Sequence, residues 1–259
     1  GDPDVFAGDA TSFDAGDALS SADGDAGSSD AQGEPDTFVD YGPLCAAECA
    51  DAGGACLDGG VCYFDCTADN DCTDAIKCPP NVPCLVACGY QSCSNTIDCT
   101  SSSACKVDCK GDLSCGNKIH CGGSGCGIDC SGYGACDDDI TCDAGSCDIE
   151  CDGGSSCTHP IACSGQKCTV GCLTYGACGD DVTCKAAQSC NVECPADTAC
   201  AGKVTTTAAA SHVCCTGFDA CHGTVACSGG SCATYCKQNA CNGGVDCTAT
   251  TCDDAATCP

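Results

Sequence analysis

The chain of 259 residues has no methionine, no tryptophan and no arginine, and aromatic residues make up only 4 % of it. A core of large side chains is therefore excluded. No apolar run approaches the roughly 18 residues that a membrane-crossing helix needs, so no membrane span is expected. No two cysteines stand in C-x2-C spacing, which excludes zinc ribbons, thioredoxin-like redox centres, c-type haem attachment and the common iron–sulfur motifs. There is no Asn-x-Ser/Thr sequon. Basic residues are scarce: eight lysines oppose 37 acidic groups, for a net charge of −29. Nucleic acid is excluded as a partner, because phosphate neutralisation needs clustered Lys or Arg. Charge of one sign on this scale keeps a chain in solution and repels like subunits unless salt or cations screen it.

What is abundant is cysteine, 40 residues, far above the density that marks a disulfide scaffold. Such usage belongs to an oxidising compartment, so a secreted, extracellular or cell-surface protein is expected. A first residue of Gly rather than Met is expected of a processed chain.

Residues 128–147, IDCSGYGACDDDITCDAGSC, contain the unit that the rest varies. Ile128-Asp129-Cys130 and Ile140-Thr141-Cys142 each place a β-branched residue and a cysteine two positions apart. In an extended strand these two share one face, and the middle residue points the other way. Gly- and Asp-rich segments follow each triplet and read as turns. From Cys45 onward the cysteines fall into sets of four with a period near 21 residues, for instance Cys109, Cys115, Cys121 and Cys126, then Cys130, Cys136, Cys142 and Cys147. A period of this size signals stacked repeats. The expected fold is all-β: a flattened parallel β-solenoid of about ten coils, two short strands per coil, lined by Val, Ile and cystine. At about 4.8 Å per coil it would be on the order of 50 Å long. Helix is disfavoured throughout by the Gly, Cys and β-branched content. No cap for either end of the repeat is visible.

Two segments follow: an acidic Asp/Ala/Gly-rich tail over residues 1–44, expected to be extended, and the solenoid over 45–259. The tail has ten Asp, one Glu and no Lys, so it supplies −11 of the net −29. Three octads in it end alike: PDVFAGDA, TSFDAGDA and LSSADGDA. The composition is that of a solvated linker, yet Phe6, Phe13 and Phe38 are not needed in a spacer and are candidate anchors on a neighbouring surface.

The spacing and the inward-facing cysteines resemble the small cysteine-rich β-solenoids of beetle antifreeze proteins. That resemblance implies bridges between cysteines six apart within one coil. The tail resembles the Asp/Ala/Gly-rich linkers of myxobacterial surface proteins. Antifreeze activity is not expected, because the outward residues of the second triplets (Lys77, Asp98, His120, Thr141, Ala162, Thr183, Thr205, Ala226, Asp246) form no regular Thr array.

One coil lacks its third and fourth cysteines and carries Thr206 and Ser211 instead. Their joint loss makes them partners, so third pairs with fourth and first with second. The competing scheme, second with third and fourth with the next first, would strand two cysteines at this gap. Cys214 and Cys258 stand outside the pattern. They either bridge to each other as an end clamp or link one subunit to the next.

No constellation points to catalysis. His120, His159, His212 and His222 are scattered, and a narrow solenoid leaves little room for a pocket; no enzyme and no cofactor are expected. The outward residues Asp65, Asp108, Asp129, Glu150 and Glu193 form an acidic file at coil spacing, contiguous over Asp108, Asp129 and Glu150. Either salt screens it or a hard divalent cation such as Ca2+ bridges it. Two functional readings follow. One is a structural fibre subunit stacked head-to-tail as a homopolymer, with the tail clasping a neighbour. The other is a cell-surface adhesin or binding rod held on a flexible acidic tail.

Overall fold

A computed structural model describes residues 42–237, 239–254 and 258. The acidic tail and its Phe6, Phe13 and Phe38 lie outside the described residues. The architecture is the expected parallel β-solenoid, with about nine turns of about 21 residues. At about 4.8 Å per turn the rod is roughly 40 Å long.

The chain enters through helix α1 (Gly42–Asp51) and a two-residue strand β1 (Ala55–Cys56). Strands β2 (Cys62–Cys66), β4 (Cys84–Cys88) and β6 (Cys105–Cys109) stack in parallel on one side. Strands β3 (Ile76–Lys77) and β5 (Ile97–Cys99) stack on the other. From β7 (Ile119–Asp129) both sides belong to one strand per coil: β8 (Ile140–Cys151), β9 (Ile161–Cys172), β10 (Val182–Cys194), β11 (Val204–Cys215) and β12 (Val225–Cys236). The last coil is β13 (Val245–Cys247) and β14 (Thr251–Asp254), both paired with β12.

This continuity differs from the expected two short strands per coil. The segment between third and fourth cysteine, such as Asp143–Ser146, reads as a turn by composition. In the stack it bends while keeping its parallel hydrogen bonds to the coils on either side. Glycines take the corner where the backbone needs positive φ, as at Gly123 (φ 90°). The segment between first and second cysteine is a true tight turn.

The interior is two β-branched files and two cystine files. Ile97, Ile119, Ile140, Ile161, Val182 and Val204 are Cα partners in succession. Facing them run Val86, Val107, Ile128, Ile149, Val170 and Val192. All are fully or almost fully buried. β-Branched residues suit this pleated stack, where identical side chains pack above one another.

Two expectations fail at the N-terminal end. The set Cys45, Cys49, Cys56 and Cys62 is not a coil. Residues 44–50, LCAAECA, contain neither Gly nor a β-branched residue and favour helix. α1 ends where Gly54 N–H donates to Cys49 O (2.8 Å) and Gly53 takes φ +86°, a left-handed helix stop. Cys45 and Cys49 are one helical turn apart on the same face, so they cannot follow the first-with-second rule. They bond instead to Cys56 and Cys62, which lie opposite each other in the antiparallel β1–β2 pair. Helix and hairpin thus cap the start of the β2 edge, at Cys62 and Tyr63, where no cap was expected.

Candidate functional site

Twenty disulfides use all forty cysteines. Beyond the cap, every coil obeys first-with-second and third-with-fourth. Cys109–Cys115, Cys121–Cys126, Cys130–Cys136 and Cys142–Cys147 are examples. The cysteine sets that come close enough to hold a metal, such as Cys78, Cys84, Cys99 and Cys105, are tied up as cystine. Cys214 bonds Cys258 of the same chain, 44 residues away. Of the two expected arrangements, this pairing within the chain is the end clamp. Thr206 and Ser211 occupy the missing cystine positions, between Cys184 and Cys227 and between Cys190 and Cys232. Both are buried; Thr206 Oγ1 donates to Cys227 Sγ at 3.1 Å, and Ser211 Oγ has no partner.

The second cysteine of each tight turn adopts left-handed backbone, from Cys72 (φ 47°) through Cys136 (φ 55°) to Cys241 (φ 52°). This is a rare state for a residue with a side chain. The turn begins with a small residue where coils nearly touch. A Cβ at Gly153 would run into the backbone of Gly132, and one at Gly132 into that of Gly111.

The acidic file is assembled in the expected register. Asp65, Ala87 and Asp108 are successive Cα partners, followed by Asp129, Glu150, Gly171, Glu193 and Cys214. Ala87 and Gly171 isolate its ends, leaving Asp108, Asp129 and Glu150 contiguous. Lysines answer part of the repulsion. Lys110 Nζ lies 3.4 Å from Asp108 and 3.9 Å from Asp129, and Lys106 Nζ lies 3.6 Å from Asp108. At the isolated ends, Asp65 accepts from Thr67 Oγ1 (2.7 Å), which holds its carboxyl below the usual range. Glu193 accepts from Asn191 Nδ2 (3.0 Å).

Sequence reasoning missed the residue that this file affects most. Asp148 lies two positions before Glu150 on the same face of β8, next to the bare Gly127 of the coil below. Burial, then the charge of Glu150, push its carboxyl up to about 6. Burial and the charges of Asp129 and Asp152 raise Glu150 as well. Among the described residues no ion pair reaches either group. The signal was available: Asp148 repeats the outward position of the opposite end of the same strand side, one pleat away.

The histidines do not converge. His159 and His222 each lie 3.6 Å from a carboxylate, Asp137 and Asp219, on different coils. Among the described residues no helix is long and apolar enough to cross a membrane. No protein-family model, curated protein or solved structure matches the chain. The disulfide-rich solenoid fits a structural extracellular protein.

Proposed function

We propose that the chain is a rigid, non-catalytic extracellular rod that presents its long faces for binding, carried on the acidic segment of residues 1–44. The observation that carries this reading is the cap. α1 and the antiparallel β1 cover the start of the β2 edge, at Cys62 and Tyr63, that parallel head-to-tail stacking would need open. An uncapped repeat edge propagates, whereas a capped one stays monomeric. Negative-stain imaging of purified chain tests it. Isolated rods about 40 Å long are the expected image, and filaments would overturn it.

A fibre subunit is the second reading, and the opposite end favours it. Among the described residues β13 and β14 pair only with β12, and Val245 there is exposed. In that reading the tail, through Phe6, Phe13 and Phe38, clasps the open edge of a neighbour. Removal of residues 1–41 then abolishes filaments, while an isolated rod keeps its shape without them. In either reading calcium has one role, screening the part of the acidic file around Asp148 and Glu150 that no lysine reaches. A melting temperature that does not move on chelation counts against that role.

A further inference from the structure

After residue 44 the chain has seven aromatic residues. Four of them occupy one position of the tight turn, three residues after the first cysteine in three cases and two after it in the shorter turn of Cys88. Coil by coil this file reads Asp69, Tyr90, Asp112, Tyr133, Gly154, Tyr175, Asp197 and Phe218. Aromatic and non-aromatic residues alternate without exception over these eight coils. The rings are not packing the core: Tyr90 is 44 % exposed, Tyr133 61 %, Tyr175 67 % and Phe218 59 %. Single exposed hydrophobes are ordinary, but four in one file with a fixed period make a patch that calls for a partner.

The file is rigid. The carbonyls of Tyr90, Tyr133, Tyr175 and Phe218 accept from Asn70, Leu113, Ser155 and Thr198 N–H groups of the coil below, at 2.9, 2.9, 3.1 and 2.9 Å. The carboxylates of Asp112 and Asp197 accept from the Tyr133 and Phe218 N–H groups at 2.9 and 2.7 Å. At the head of the Tyr90, Tyr133 and Phe218 turns, Gly89, Gly132 and Gly217 bring each coil to its closest approach to the one below. Rings on every second coil therefore stand about 10 Å apart.

We propose that this edge of the rod binds an extended β-1,4-linked polysaccharide of the chitin and chitosan class, with Tyr90, Tyr133, Tyr175 and Phe218 as stacking platforms. In such a polymer each sugar is flipped relative to the last, and the two-sugar repeat is about as long as two strand spacings. One pyranose of each pair then lays its C–H face on a ring, the apolar contact that aromatic side chains offer. The other falls over Asp112, Gly154 or Asp197. The charge of −29 repels anionic polymers, and carboxylates between the rings attract the free amines of deacetylated sugars. The inference rests on the reading of the chain as a surface-presenting rod and names that rod's ligand.

Co-sedimentation of the full chain with chitosan, chitin and cellulose particles tests it, comparing wild type with Tyr133→Ala/Tyr175→Ala. Retention on chitosan and chitin is expected, strongest on chitosan at low salt. The double variant should bind about tenfold or more weakly, with an unchanged melting temperature, since both rings are exposed. Soluble chito-oligosaccharide should also perturb tyrosine fluorescence of the wild type, with no tryptophan to mask it. Absence of binding to chitin and chitosan overturns the proposal, as does equal binding by the variant. So does loss, in the variant, of a self-associated form seen on a sizing column without polysaccharide, which would assign the ladder to a second copy of the chain. Isolated rods in the microscope that bind no polysaccharide would leave the rod standing and remove only this ligand.

Discussion

A cysteine in left-handed backbone recurs at the second corner of the coils. At Cys136 the bridge to Cys130 and the backbone conformation (φ 55°) are separate contributions to stability. Removing the bridge as Cys130→Ala/Cys136→Ala leaves alanine where L-residues are strained. Cys130→Ala/Cys136→Gly removes the same bridge and relieves the strain. The glycine variant should be more stable by about 1 kcal/mol, measured by denaturant unfolding; equal stability would show that the conformation carries no cost. Asp148 offers a second test. Its carboxyl is raised to about 6 in the folded chain from an ordinary 3.8. Between those values the folded chain holds a proton that the unfolded chain has released, so stability falls as pH rises through this window. Asp148→Asn should raise the melting temperature at pH 7, leave it nearly unchanged at pH 3.5, and flatten the slope between. A parallel downward shift at both pH values would contradict the assignment.

At the scale of the strand and its coil, the gap at Thr206 and Ser211 is the informative place. Equivalent positions one coil to either side are bridged with Cα separations of 5.9 Å (Cys184–Cys190) and 6.3 Å (Cys227–Cys232). Thr206→Cys/Ser211→Cys should therefore close a further disulfide without backbone movement. It should stabilise the chain by about 2 kcal/mol under oxidising conditions, with the gain lost on reduction. Ser211→Ala alone should not destabilise, because it removes a buried hydroxyl that bonds to nothing. The triplets that form these strands were legible because Ile140-Thr141-Cys142 and its equivalents show the period-two alternation of a strand at a fixed interval. The pairing was legible because Thr206 and Ser211 replace two cysteines together. The helix was not: Cys45 and Cys49 stand four apart, as successive coils do elsewhere, and only the absence of Gly and β-branched residues between them marks a different element. Nor was the ring file, since Tyr133 and Tyr175 sit in turns two coils apart and each reads singly as an exposed residue.

For the whole molecule, the two ends are unlike. One carries α1 and β1 over the start of β2, fixed by Cys45–Cys56 and Cys49–Cys62, while its β3 pairs only with β5 among the described residues; at the other, β13 and β14 have a partner on one side only among the described residues and no such cap. Deleting residues 1–56 with Cys62→Ser strips the cap and bares the β2 edge. Such a chain should form end-to-end oligomers detectable by light scattering, while the intact chain stays monomeric. A monomeric stripped chain would mean that repulsion from the net charge, not the cap, prevents stacking.

The bridges also set how the molecule can be made. Beyond the cap, each coil's bond joins residues five or six apart, as in Cys88–Cys93 and Cys194–Cys200. A segment of that length can close its bond as soon as both thiols meet an oxidant, without waiting for distant parts of the chain, and each sealed corner offers a template edge for the next. Wrong partners are outcompeted by proximity rather than corrected later. The exception spans 44 residues: Cys214 must wait with its thiol exposed until Cys258 arrives. Beyond the cap this is the one bond that ties residues of different coils, so its closure reports that the coils between them have stacked.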